Sequence, residues 1–141
     1  MSAPSLAGDR VQGQRLPLSR KLALGAEVVA AYVRVRRELR RGTLPEALDR
    51  LRALGAARAA PDDTARLARA VRRTLRILPA DTRCLSQSLV LTTLLAKRGL
   101  VSTVVIGVAP GASFGAHAWV EHQGVPLLPP YEAEFQRLTE L

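Results

Sequence analysis

The chain has 141 residues, a length that supports one domain around one core. Its composition of 48% hydrophobic and 23% charged residues is that of a soluble globular protein, and no apolar run approaches the roughly 18 residues that argue for a membrane span. The net charge of +9 raises nucleic acid as a partner, but aromatic residues for base stacking make up only 4%, so an acidic peptide or protein accounts for the charge as well.

The first residues, "MSAPSLAGDRVQGQRLP", lack a basic start followed by an apolar stretch, so no secretion signal is read there. Residues 1–15 are expected to be disordered and the protein cytoplasmic, with residues 16–141 forming a single domain. Leu18 to Arg41 reads as a long amphipathic helix, its expected inward stripe Leu22, Ala26, Val29, Ala30, Val33 and Val35, with a basic last turn before Gly42. A short second helix starts at the candidate N-cap Thr43, with Pro45 and Glu46 in its first turn, and ends at Gly55. The third runs from Pro61 to Pro79 and turns Leu67, Ala70, Val71, Leu75 and Leu78 to one side, with five arginines largely on the other.

A fourth helix, "DTRCLSQSLVLTTLLAKRG", differs in kind. From Leu85 to Ala96 it is apolar or small nearly all the way round, which predicts a position in the middle of the fold. After Gly99 the period changes from 3.6 to about 2: "STVVIGV" at 102–108 is a strand, and "AHAWVEH" to "VPLL" is a hairpin turning at Gln123-Gly124. Residues 131–141 read as a short terminal helix or tail. The fold class is α+β: N-terminal helices and a central Cys-bearing helix packed on a small C-terminal antiparallel sheet.

Two residues could carry chemistry. Cys84 is the only cysteine, so it makes no internal disulfide. If Asp81 or Thr82 caps the fourth helix, Cys84 lies in its first turn, where unpaired backbone N–H groups, the helix dipole and neighbouring Arg83 favour a thiolate. A small buried hydrophobe is the equal alternative on position alone. His117 shares a strand face with Trp119 and Glu121; a structural histidine, a core tryptophan and a solvent-facing glutamate are the plain readings. His122 points to the other face at the hairpin tip, where solvent is expected. The order of the elements ties Cys84 to His117: the helix bearing the cysteine, one strand, then a histidine at the start of the next. A helix packed across the sheet would bring its N-terminus to the histidine.

The runs "CLSQSLVLTTLLAKRGL", "TVVIGV" and "FGAHAWVEHQG" resemble the transglutaminase-like cysteine peptidases that remove the leader peptide in lasso-peptide biosynthesis. The likeness covers roughly residues 75–130, and "HAWVE" alone is shared across the wider superfamily. It implies a transglutaminase-like or papain-like core at 80–130, preceded by a basic helical part at 16–79. It also implies Cys84 as nucleophile, His117 as general base and acid, and hydrolysis of one precursor peptide bond through a thioester. The partners implied are the precursor's leader peptide, a small leader-recognition protein and an ATP-dependent lasso cyclase; no metal, organic cofactor, nucleic acid or membrane is implied.

The family's orienting aspartate would fall about where Pro129 stands. This leaves the third member open between Glu132, Glu134 and a backbone carbonyl. Gln87, one turn beyond Cys84, is a candidate oxyanion donor. Arg34, Arg37, Arg41, Arg69, Arg72, Arg73 and Arg76 form basic helix faces that are either solvated or a docking surface for leader or partner. Two other classes stay open: an inactive adaptor that keeps the fold, and a helical nucleic-acid binder without any recognised binding motif.

Overall fold

The computed structural model describes residues 15–55, 63–78, 84–109, 115–128 and 135–141, so the expected disordered N-terminus falls almost wholly outside the described residues. Among the described residues four helices precede a four-stranded antiparallel sheet, the α+β arrangement expected: α1 (Leu18–Leu39), α2 (Leu44–Arg52), α3 (Thr64–Leu75), α4 (Cys84–Lys97), β1 (Thr103–Ala109), β2 (Gly115–His122), β3 (Val125–Pro126) and β4 (Gln136–Glu140). The spatial order in the sheet is β3-β2-β1-β4.

α4 is the hub. Every residue from Ser88 to Ala96 is buried, and the helix packs on α1, α2, α3, β1 and β2. With no polar face to keep wet, an interior position is the one that removes its apolar surface from water. It stops at Gly99 in the left-handed region (φ 72°), where the Gly99 N–H bonds the Ala96 carbonyl (2.9 Å) and the Leu100 N–H bonds that of Leu95 (2.9 Å). This is the paired Schellman closure that glycine permits. Arg98, just past the helix, clamps Glu27 of α1 at 2.9 and 3.1 Å.

α1 corrects the sequence reading. Its buried stripe is Val28, Ala31, Tyr32, Val35 and Glu38, whereas Leu22 (66% exposed), Ala26, Val29, Ala30 and Val33 (53% exposed) face outward. Between Val28 and Val35 apolar residues are so dense that two stripes are possible, and the partner surfaces select one. Glu38 extends the chosen stripe because Arg50 of α2 meets its carboxylate at 2.6 Å. α2 begins as expected, the Thr43 N–H held by Glu46 Oε2 at 2.9 Å. Asp63 caps α3 through the Arg66 N–H (3.1 Å), and Leu67, Ala68, Val71 and Leu75 point inward.

The β2–β3 hairpin turns at Gln123 (φ 52°) and Gly124 (φ 75°), two left-handed residues that match the twist of the strands. The expectation of a helix or tail at 131–141 is corrected: Gln136–Glu140 is a strand paired antiparallel with β1, while 131–134 lie outside the described residues. Its side chains are all exposed, so its own pattern carries no burial signal, and the unpaired edge of β1 decides its conformation. Arg52 of α2 secures this end by donating to the carbonyls of Ser102 (3.0 Å) and Leu141 (2.7 Å). No described helix is long and apolar enough to cross a membrane.

Candidate active site

Cys84 is the first residue of α4 and is partly exposed. In a helix the first N–H groups have no acceptor within the helix, so the backbone beside this thiol presents donors. Its neighbours Asp81, Thr82 and Arg83 lie outside the described residues, as does the expected cap. What positions the sulfur is β2. The Ala118 N–H donates to Cys84 Sγ at 3.4 Å. β3 is only two residues long and pairs with Glu121 and His122, and Leu127 bonds the Val120 carbonyl at 2.8 Å. Backbone groups two residues apart on a strand point to the same edge, so the Ala118 N–H lies on the edge that β3 leaves open, and the sulfur fills that place.

The residue before Ala118 is His117. Its ring stacks near-parallel on Trp119 (centroids 6.2 Å apart, 18° between planes) and tilts against Phe135 at 5.3 Å. Burial pushes the imidazole below its ordinary value of 6.5, while a hydrogen bond from the ring to the Leu128 backbone carbonyl pulls the other way; burial prevails. His117 Nε2 is buried and has no hydrogen-bond partner among the described residues. A neutral ring with one vacant nitrogen can accept a proton.

Trp119 holds this ring through an arrangement that sequence reasoning missed. Its indole lies across β1 at Gly107, the register partner of His117, where an added Cβ would fall 2.8 and 2.9 Å from Trp119 Cζ3 and Cη2. Only glycine leaves that space; an isolated glycine inside the strand "TVVIGV" was the available signal. Trp119 Nε1 donates to Glu121 Oε1 at 2.9 Å, and Arg137 of β4 donates to the same oxygen at 2.5 Å. Glu121 is therefore not solvent-facing, as its place near the turn had implied, but 8% exposed. Burial pushes its carboxyl up, and the Trp119 and Arg137 hydrogen bonds outweigh that and hold it below the ordinary carboxylate value. Engaged this way, it is not the acid that orients His117. His122 also differs from expectation, half-buried with Nδ1 2.6 Å from the Val101 carbonyl.

Of the remaining candidates, Pro129, Glu132 and Glu134 lie outside the described residues. Gln87 is half-buried one turn beyond Cys84 and already engaged. The arginines divide among separate hollows. Arg34, Arg37 and Arg41 surround one of about 310 Å³ with Lys97, Ala30 and Val33. Arg69 and Arg73 line another of about 390 Å³ between α1 and α3 with Lys21 and Arg66. Arg69 and Arg72 face β3, and Arg76 is exposed at the C-cap of α3.

Residues 27–141 match the family model described as the Transglutaminase-like superfamily. No curated protein and no solved structure matches the chain significantly.

Proposed function

The chain belongs to the transglutaminase-like superfamily, and on that premise we propose that it is a cysteine peptidase in which Cys84 is the nucleophile and His117 the general base and acid. The observation that supports this reading is the hydrogen bond from the Ala118 N–H to Cys84 Sγ, which holds the sulfur against the backbone of the residue that follows His117, whose own Nε2 is buried and has no hydrogen-bond partner among the described residues. His117 takes the Cys84 S–H proton, and the thiolate attacks the scissile carbonyl to form a C–S bond. The oxyanion is held by free N–H groups of the first turn of α4, with Gln87 as a further donor. Collapse breaks the C–N bond, and His117 returns its proton to the leaving amine. Water, deprotonated by the same imidazole, then hydrolyses the thioester and frees the sulfur.

The Leu128 backbone serves in place of the orienting carboxylate, since a neutral acceptor is enough to fix the ring tautomer. A neutral acceptor lends less support to the imidazolium than a carboxylate would. A thiol is acidic enough that a ring oriented by a neutral acceptor can still take its proton.

The substrate of this reading is a ribosomally made lasso-peptide precursor in the cytoplasm, cut to remove its leader. The reaction is carried out alongside a small leader-binding protein and a lactam-forming cyclase. Support for that setting is the likeness of "CLSQSLVLTTLLAKRGL" and "FGAHAWVEHQG" to the leader peptidases. The test is reconstitution with the precursor and leader-binding protein encoded beside it. Cleavage is expected with the native chain and absent with Cys84→Ala, which should fold normally. Cleavage surviving in Cys84→Ala would end the reading, and binding of the precursor without cleavage by the native chain would replace it with an inactive peptide-binding adaptor.

A further inference from the structure

α3 and β3 flank an open groove of about 310 Å³, and we propose that it is a substrate subsite for an acidic residue, set in an apolar stretch, of an extended peptide bound across Cys84. The proposal rests on the peptidase reading and adds to it a substrate class and a place for it.

One wall is a single face of α3: Ala65, Ala68, Arg69 and Arg72, spaced i, i+3, i+4, i+7. The other runs from Val125 to Leu128. Val125 is 59% exposed and Pro126 is exposed too, so this wall offers apolar surface to a ligand. Among the described residues no carboxylate lines the groove, while two guanidiniums do. Arg69 is held only loosely, 4.0 Å from the Asp63 carboxylate, which Arg66 shares at 3.8 Å. Such an exposed pair contributes little and yields readily to a better-placed anion. A second copy of this chain is a poor occupant, since both partners would carry +9.

The groove is continuous with the chemistry. Leu127 bonds the Val120 carbonyl, and the backbone of Leu128 meets the His117 ring, so one wall of the groove also holds the imidazole. From Val120 to Ala118, whose N–H meets the sulfur, is two residues along β2, a rise of about 7 Å. An extended peptide advances about 3.4 Å per residue, so the side chain reaching the groove belongs to roughly the second or third residue from the scissile bond. Pro126 has no N–H to give, so recognition at that point falls to side chains and charge rather than to strand addition.

The test is shielding of Cys84 in the full chain. Iodoacetamide alkylation is timed in the presence of end-capped decapeptides of Ala, Val and Leu carrying Asp or Lys at each position in turn. Asp peptides are expected to slow alkylation about threefold where Lys counterparts do not, the ratio one surface charge pair supports. Arg69→Glu should reverse that preference, and Arg20→Glu, with the same change in net charge on α1, should retain it. Equal shielding by Asp and Lys peptides, no shielding, or indifference to Arg69→Glu overturns the subsite. Shielding by inorganic phosphate as strong as by Asp peptides overturns it too, because the groove would then be a generic anion patch. A separate arm addresses the peptidase reading: alkylation is expected to be several-fold slower in His117→Ala, and an unchanged rate there defeats that reading whatever the peptides do.

Discussion

The two ends of β2 treat buried polar groups in opposite ways. At one end Glu121 is saturated: Trp119 and Arg137 both donate to Oε1, and the carboxylate contributes cohesion between strands that are not neighbours in the sheet. At the other end His117 keeps a buried Nε2 without a hydrogen-bond partner among the described residues, and the next residue's N–H holds the Cys84 sulfur. Trp119 stands between them and touches both. A buried polar group left unmade costs stability, and such groups in a folded protein call for an explanation. The satisfied end is scaffold, and the unsatisfied end is where a proton can be received.

That contrast can be broken from either side. The largest effect is expected at the open end: His117→Ala should lower peptide cleavage by roughly 10²–10⁴-fold, the usual worth of a general base, with little loss in melting temperature. Glu121→Gln should do the reverse, costing about 1–2 kcal/mol in chemical denaturation by weakening one buried and one part-buried hydrogen bond while leaving the Cys84 alkylation rate near native. If Glu121→Gln silences the thiol as strongly as His117→Ala does, the division of β2 into scaffold and site is wrong.

Gly107→Ala probes the link between the two ends. The added methyl meets the indole at under 3 Å and the Gln136 carbonyl at 3.0 Å, so Trp119 must move and its stack on His117 with it. A cost of about 1–3 kcal/mol is expected from overpacking, together with reduced cleavage in the fraction that remains folded. Native tryptophan fluorescence in this variant would exclude the displacement.

The smallest effect is the pH dependence of stability, and it separates the ends by where it falls. The unfolded chain protonates the histidine near 6.5 and the folded chain only at lower pH, so above that value both states are neutral and His117 contributes nothing. As pH falls through 6.5 the unfolded state takes up the proton first and stability drops. Glu121, whose folded value lies below its ordinary 4.5, adds stability that is complete above 4.5 and lost as pH falls further. Denaturant midpoints measured against pH should lose the upper decline in His117→Ala and show a shallower lower one in Glu121→Gln, since Glu38 and Glu46, also held below 4.5, share it.

The two central residues of the candidate site could be picked out because each has a local signature. A lone cysteine opening an all-round apolar helix, and a histidine opening a period-two run, are patterns visible within a dozen residues. Glu121 was misread because its place near a turn implied solvent, whereas two partners from elsewhere bury it: Trp119 on its own strand and Arg137 on β4. The Leu128 acceptor carries no residue-type signal at all, since any amino acid supplies a backbone carbonyl.

From the sequence alone came the central place of α4, the change of period after Gly99, the hairpin at Gln123-Gly124, and the two residues singled out for chemistry. These follow from periodicity, all-round hydrophobicity and turn chemistry, which act over a few neighbouring residues. The tertiary structure decided which of two apolar stripes on α1 faces inward, that Gln136–Glu140 pairs as a strand, and which groups meet the His117 ring. Each of those outcomes depends on a surface contributed by a distant part of the chain, an energy that no local pattern can contain.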